Sequence, residues 1–245
     1  GILTGMIIGA GMFALPYSFS RSGLIPGILL FILVFFISWI LHLLYAAIIY
    51  HTPGRHRFTG YTRRYLGKNA EMVALIFTFL GSYGAVLAYG ILGAIFIGNI
   101  LGLDFFSSGL IFFILGGILF FMPLNKVGKI NFYLTLPILA FILLLAWFLL
   151  PEADSRNFLS PPEPLWFFSY GILVFAFGGY SALPDMHDVL GANSKRLSKK
   201  IILASLLVSA LFYLIFILAV LGASGGETSP DALSGLVELI GEKAV

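Results

Sequence analysis

Two short segments of the chain carry the same combination of glycine and proline inside apolar stretches. Residues 11–16 read GMFALP and residues 179–184 read GYSALP, and a further glycine, Gly9 or Gly178, precedes each segment. Glycine and proline are the residues that most weaken the interior of an α-helix. Their occurrence at matching places predicts a pair of interrupted membrane helices, an arrangement typical of transporters that are built from two structural repeats.

The composition is that of a membrane protein. Hydrophobic residues make up 60% of the 245 residues, charged residues make up 10%, and the mean hydropathy is +1.03. A soluble domain has about 25% charged residues. The apolar runs are continuous rather than alternating, so we predict an all-α polytopic membrane protein and not a barrel. The chain has no cysteine, which excludes disulfides, thiolate metal sites and thiol catalysis.

Seven apolar segments are each close to the ~20 residues that a helix needs to cross a bilayer. They are residues 1–20, 24–50, 71–101, 109–124, 132–150, 166–190 and 201–222. A proline-rich stretch separates the fifth segment from the sixth. We therefore predict a first repeat of five helices in residues 1–150, an extracellular connector in residues 151–165, and a partial second repeat of two helices with an outer loop in residues 166–245.

The distribution of charge predicts how the helices cross the membrane. The loops 51–70, 125–131 and 191–200 hold 11 of the 14 basic residues, and the opposite side holds most of the acidic ones. Basic residues near helix ends stay in the cytoplasm, which places the N-terminus inside. The first and sixth segments then cross in opposite directions, as in an inverted repeat. Nucleic-acid binding explains the basic runs less well, because they are short and flank membrane segments.

An interrupted membrane helix exposes backbone groups that can bind a ligand. Amides at the start of a half-helix can bind a carboxylate, and freed carbonyl oxygens can bind a cation or an ammonium group. The alternative is structural, because Gly5 and Gly9 also fit a small-residue helix-packing face and proline-kinked membrane helices are common. We expect each proline, Pro16 and Pro184, to disturb the turn that precedes it.

The two segments also resemble a known group of transporters. The run IIGAGMFALP resembles the first-helix motif of the amino acid/auxin permeases and of the related aromatic amino acid (tryptophan/tyrosine) permeases, in the amino acid–polyamine–organocation superfamily. The runs FAFGGYSALPDM and NSKRLSKKI are similar to the sixth helix and the following loop of those families. The resemblance implies a LeuT-like fold with two inverted five-helix repeats. Helices eight to ten of that fold are absent here, so the chain is expected to be a fragment of about seven helices.

The resemblance also implies where the substrate binds. It places the carboxylate on the amides of Gly9, Ala10 and Gly11. It places the ammonium group on the carbonyls of residues 175–177. The full set of implied substrate-binding residues is Gly9, Ala10, Gly11, Met12, Tyr83, Phe175, Ala176, Phe177, Gly178 and Gly179.

The resemblance implies only part of a cation site. The carbonyls of Gly5 and Ile8 match the first-helix ligands of the family's common site, whose other ligands lie on the eighth helix. Met12 stands where sodium transporters of this fold often have an asparagine, which argues against a second sodium ion. The coupling ion is therefore expected to be H⁺ or Na⁺, and no other cofactor is predicted.

Several further residues have two interpretations. Tyr83 and Tyr89 can contribute a hydroxyl to the substrate path, or they can be buried tyrosines that bond to a neighbouring helix. His42 is expected to form a hydrogen bond across helices. A cluster of ionisable residues follows Pro184 and consists of Asp185, His187 and Asp188. This cluster can form an inner gate, a metal site or a solvated helix end.

These observations predict a secondary active transporter of amino acids, a cation symporter with alternating access around a midplane site between the broken first and sixth helices. It is expected in the plasma membrane, for a prokaryote the cytoplasmic membrane, with amino acids and lipid as partners, no nucleic acid and an undetermined oligomeric state. The alternatives are an intramembrane enzyme, for which the chain offers few catalytic groups, and a non-transporting amino acid sensor or assembly subunit on the same fold.

Overall fold

The computed structural model describes residues 2–122, 124–159, 165–191 and 194–235. Within these ranges the chain forms ten α-helices and no strand. The helices are α1 Ile2–Ile7, α2 Leu15–Ser22, α3 Leu24–His51, α4 Phe58–Leu66, α5 Lys68–Leu101, α6 Phe105–Phe120, α7 Leu124–Leu149, α8 Phe168–Ala176, α9 Leu183–Leu190 and α10 Lys195–Ser224. The prediction of an all-helical protein is confirmed.

In the described part of the chain, four segments are long and apolar enough to cross a membrane as single helices. They are Leu24–His51, Lys68–Leu101, Ile130–Glu152 and Lys195–Glu227, and Phe105–Ile118 is a shorter apolar helix. The paired glycine–proline segments do not reach this length, because each is divided into two short helices. A multi-pass helical membrane protein is therefore confirmed, whereas the count of seven crossings stays a prediction.

Both predicted interruptions are present, and they have the same local form. In the first, α1 ends at Ile7, a 3₁₀ turn covers Ala10–Ala14, and α2 follows directly. In the second, α8 ends at Ala176, a 3₁₀ turn covers Tyr180–Ala182, and α9 follows directly. The matching sequence pattern therefore produces a matching backbone.

Each proline follows a turn that is not α-helical, as expected, because 3₁₀ turns directly precede α2 and α9. Pro16 and Pro184 lie at the second residue of α2 and α9, in the first turn of each helix. A proline there removes an amide that has no intrahelical acceptor, and its ring fixes a backbone angle that suits a helix start. The prolines therefore begin the second half-helices, and the preceding residues Gly9 and 177–179 carry the irregular backbone.

The chain forms two compact units, the first of residues 1–50 with 131–245 and the second of residues 51–130. In the first unit, α2 and α8 are joined by buried hydroxyl groups. The Oγ atoms of Ser22 and Ser169 lie 2.6 Å apart, and Ser169 also donates to the carbonyl of Ser18 at 3.0 Å. All three serines are fully buried. Each hydroxyl thus has a partner inside the helix pair, as buried polar groups require.

The connector after α7 packs on the C-terminal end of α10. The carbonyl of Gly222 accepts hydrogen bonds from the amide of Asp154 at 3.0 Å and from Nδ2 of Asn157 at 2.7 Å. Hydrogen bonds from the Arg156 side chain lower the pKa of Asp154 below its usual value. Residues 160–164 of the predicted connector lie outside the described ranges.

The second unit contains α4, α5 and α6. The sequence analysis treated residues 51–70 as a loop, but residues 58–66 form the short helix α4. In the α5–α6 hairpin, Gly90 and Gly93 lie against the rings of Phe113 and Phe112. The absence of side chains at these two glycines therefore allows the aromatic rings of α6 to approach α5 closely.

We expect Gly93→Ala to destabilise this hairpin. Its Cβ atom would overlap the ring of Phe112, and overpacking of this kind costs about 1–3 kcal/mol. A Cβ atom at Gly81, on the same helix, would meet nothing within 4 Å. In detergent-solubilised protein the thermal midpoint of Gly93→Ala should fall, while that of the control Gly81→Ala should not. Equal midpoints for the two variants would contradict the packing described here.

Candidate functional site

The two helix interruptions meet at one side chain. The hydroxyl group of Tyr213, on α10, lies 2.6 Å from the carbonyl oxygen of Ile7 and 2.8 Å from that of Ala176. Ile7 is the last residue of α1 and Ala176 is the last residue of α8. One tyrosine thus shares its proton between the ends of both interrupted helices.

The two carbonyl groups need this donor because of the breaks. In a continuous α-helix each carbonyl accepts a hydrogen bond from the amide four residues later. Irregular backbone follows both Ile7 and Ala176, so neither carbonyl has that partner. An unpaired backbone group in a bilayer costs several kcal/mol. Tyr213 is fully buried, and it supplies the donor where water cannot.

The backbones of the two interruptions also approach each other closely. A Cβ atom at Gly11 would lie 2.8 Å from Cδ1 of Phe175 and 3.1 Å from Cα of Ala176. A Cβ atom at Gly179 would lie 2.7 Å from Cγ1 of Ile7. A glycine of each interruption thus contacts the other interrupted segment, and no larger residue fits at either position without displacing its neighbours.

The predicted substrate residues of the first interruption form its turn. Gly9 has an extended backbone, and its carbonyl accepts a hydrogen bond from the amide of Met12 at 3.2 Å. Ala10 and Met12 are buried, with 7% and 1% of their surfaces exposed. The first amides of such a turn have no partner within it. The turn therefore offers amide groups at the place where the sequence predicted a carboxylate.

The predicted residues of the second interruption have different surroundings. Phe177 is fully buried and its ring packs against those of Phe31, Phe35 and Tyr213. The carbonyl of Phe175 accepts a hydrogen bond from the amide of Gly178 at 3.1 Å. Two of the three carbonyls predicted for the ammonium group, those of Phe175 and Ala176, thus already have one donor each, and a carbonyl oxygen can accept a second hydrogen bond.

The residues predicted for the partial cation site lie at the end of the first half-helix. Ile8 is buried, and its amide donates to the carbonyl of Thr4 at 2.8 Å. Gly5 faces α7, where a Cβ atom would lie 2.7 Å from both Nδ2 of Asn131 and Oγ1 of Thr135. The surroundings of Gly5 are therefore polar. Cation binding by the Gly5 and Ile8 carbonyls stays a prediction.

Tyr83 and Tyr89 belong to the second unit, on α5. The side chain of Tyr83 is 64% exposed, and its ring packs against that of Phe79 with centroids 4.4 Å apart. Neither tyrosine is buried, so the interpretation of them as buried core residues is wrong. Substrate contact by Tyr83 stays a prediction.

The acidic cluster lies on α9. Nδ1 of His187 is 3.8 Å from Oδ1 of Asp188, and the His187 ring packs edge-on against that of Tyr50. The Tyr50 hydroxyl lies 2.6 Å from the Oγ atom of Ser198. In the described part of the chain no three or more His, Asp or Glu side chains gather as a metal site would require. The role of Asp185 and Asp188 as an inner gate stays a prediction.

The sequence analysis missed the polar face of α10. Ser205, Ser209 and Tyr213 recur every four residues and therefore share one side of the helix. Ser205 accepts a hydrogen bond from Thr4 of α1 at 3.1 Å, and Tyr213 reaches the end of the same helix. Hydroxyl groups at this spacing within an otherwise apolar span were the signal that could have identified Tyr213.

Comparison with known proteins identifies the family. Residues 1–228 match the model of the tryptophan/tyrosine permease family. The chain belongs to this family. No curated protein and no solved structure matches the permease. Family membership confirms the resemblance seen in the two glycine–proline segments, and it points to amino acid transport across a membrane rather than to an enzyme.

The Tyr213 hydroxyl should stabilise the permease measurably. Tyr213→Phe keeps the ring but leaves two buried carbonyls without their donor, at a cost of about 1–3 kcal/mol. We expect the thermal midpoint in detergent to fall by several degrees, at about 2–4 °C per kcal/mol for a chain of this size.

A matched control is Tyr133→Phe, because Tyr133 is 67% exposed. This variant should unfold at the temperature of the unsubstituted permease. If Tyr213→Phe did so as well, the hydroxyl would not hold the two helix ends together.

Proposed function

We propose that the permease is a cation-coupled secondary transporter of aromatic amino acids. The observation that supports this most strongly is the meeting of two interrupted helices, in which each glycine contacts the opposite break and one hydroxyl bonds to both helix ends. Discontinuous helices of this kind form substrate sites in transporters with inverted repeats. The family match to tryptophan/tyrosine permeases supports aromatic amino acids as the substrates.

The proposed site binds the two charged groups of an amino acid at opposite kinds of helix end. The carboxylate binds the amides of Gly9, Ala10 and Gly11, where a turn begins and partial positive charge favours an anion. The ammonium group donates hydrogen bonds to the carbonyls of residues 175–177, at the C-terminal end of α8, where partial negative charge favours a cation. Recognition of this kind requires only backbone atoms, so the side chain of the substrate is left to other groups.

We also propose alternating access around the same two interruptions. We propose that the fold is LeuT-like, with two inverted repeats that move against each other around the two interruptions. Since the breaks divide each helix into halves, the halves can tilt separately while the centre keeps its contacts. The inward driving force is the gradient of H⁺ or Na⁺, and the substrate and the cation move together.

The proposed location is the cytoplasmic membrane of a prokaryote, with the N-terminus inside. The support is the sequence distribution of charge, in which three loops on one side hold 11 of the 14 basic residues. Positively charged loops are retained on the cytoplasmic side. With this orientation the connector at residues 151–165 and the segment after α10 lie outside.

Uptake of radiolabelled tryptophan or tyrosine into proteoliposomes tests the proposal. Gly11→Leu should reduce uptake by more than about tenfold, since it displaces the second interruption by overpacking that costs over ~1.4 kcal/mol. Gly171→Leu is the matched control, because a Cβ atom at Gly171 on α8 would meet nothing within 4 Å.

The control variant should transport at close to the unsubstituted rate. Full uptake by a correctly inserted Gly11→Leu variant would contradict the proposed site. Substrate binding without any uptake by the unsubstituted protein would instead favour a sensor or assembly subunit.

A further inference from the structure

A buried histidine in α3 has one ring nitrogen that bonds to none of the residues that the structure describes. His42 is fully buried, and its Nδ1 atom lies 2.7 Å from the carbonyl oxygen of Ser38 on the same helix. Its Nε2 atom is buried and has no hydrogen-bond partner among the described residues. The sequence analysis expected a hydrogen bond to a neighbouring helix, and the bond is instead to the histidine's own helix.

The unpartnered nitrogen is directed at the second interruption. A Cβ atom at Gly179 would lie 3.4 Å from Nε2 of His42, 2.7 Å from Cγ1 of Ile7 and 3.4 Å from Cδ1 of Leu3. The His42 ring also lies over the ring of Tyr180, with centroids 4.2 Å apart and the planes inclined by 34°. The imidazole therefore contacts the interrupted helix at the position where α1 also approaches it.

The hydrogen bond to Ser38 determines which nitrogen is basic. A carbonyl oxygen only accepts hydrogen bonds, so Nδ1 of His42 carries the proton and donates it. In the neutral ring Nε2 then carries a lone pair that faces the interruption. A buried acceptor without a donor lowers the stability of the fold. The lone pair does not contribute to packing, but it is the group to which a proton can bind.

The described neighbours of the His42 ring include a phenol and two aliphatic side chains. The titratable group that faces the ring from the interruption is Tyr180, whose hydroxyl donates to Oγ of Ser38 at 3.4 Å. The groups that α1 contributes here, Leu3 and Ile7, are aliphatic.

A proton fits this position better than a larger ligand. The point between Gly179, His42 and Ile7 is so crowded that one added methyl group would approach within 2.7 Å of a neighbour. A proton adds no volume and needs only the lone pair of Nε2.

We propose that Nε2 of His42 binds the proton that is transported together with the amino acid. This inference rests on the proposed cation-coupled transport and names its ion and its site. The proton binds Nε2 from the outside and leaves it to the inside, so one proton crosses with each substrate and no covalent bond of the substrate changes. Protonation replaces the lone pair of Nε2 by an N–H group that needs an acceptor, and none of the described residues provides one in this conformation. Protonation is therefore linked to a change in the conformation of residues 179–180.

Two measurements on proteoliposomes separate coupling from transport itself. Tryptophan exchange without any gradient reports the transport cycle, and accumulation under an imposed gradient of one pH unit reports the coupling. One proton per substrate supports an accumulation ratio of up to about tenfold under that gradient. His42→Gln should keep measurable exchange and lose accumulation, so that its ratio falls to about 1.

A second histidine serves as the control. His56 lies in the segment between α3 and α4, and His56→Gln should accumulate tryptophan like the unsubstituted permease. Accumulation by His42→Gln at the unsubstituted ratio would overturn the inference. Absence of both exchange and accumulation in the unsubstituted permease would instead refute the proposed transport function, so the two failures are distinguishable.

A measurement on the unsubstituted permease keeps the inference testable if His42→Gln fails to insert. Vesicles that contain a pH-sensitive dye in sodium-free buffer should acidify inside when tryptophan is added outside. Accumulation that requires sodium, with no acidification in its absence, would overturn the inference. The variant His42→Asn offers a second substitution for the same pair of measurements.

Discussion

The structure of the first unit depends on the hydrogen bonds that the Tyr213 hydroxyl donates to two helix ends. A broken helix within a bilayer needs a donor for each carbonyl that the break releases. The Ile7 and Ala176 carbonyls obtain theirs from one buried side chain, at 2.6 and 2.8 Å. The two interruptions are therefore joined through α10, and a movement of either one must carry or break a shared hydrogen bond.

The interruptions also set the electrostatics of the proposed site. Each break brings the C-terminal end of one half-helix, with partial negative charge, close to the N-terminal end of the next, with partial positive charge. A zwitterionic amino acid presents both signs of charge within a few ångströms, and it therefore complements both kinds of helix end. In our account His42 adds the component that backbone atoms cannot provide, a group whose charge changes when it binds a proton.

The sequence predicts the interruptions well and their partners poorly. The two Gly…Ala-Leu-Pro segments located both breaks, because glycine and proline act on the local backbone. Local effects also explain why the prolines begin helices, which standard rules for helix starts would have predicted. In contrast, Tyr213 is one of 11 tyrosines, and its role depends on contacts with residues 206 and 37 positions away. The position of the His42 Nε2 atom beside Gly179 depends in the same way on packing between distant segments.

The central claim, that an amino acid binds between the two interruptions, can be tested with one introduced thiol. Since the chain has no native cysteine, Ala10→Cys places a single reporter in the first interruption, and Ser155→Cys places a control in the exposed connector. The measurement is the rate of alkylation by a small maleimide with and without tryptophan. Our account predicts that tryptophan slows the reaction at position 10 and leaves it unchanged at position 155. Equal rates at position 10, under conditions in which tryptophan is transported, would contradict it.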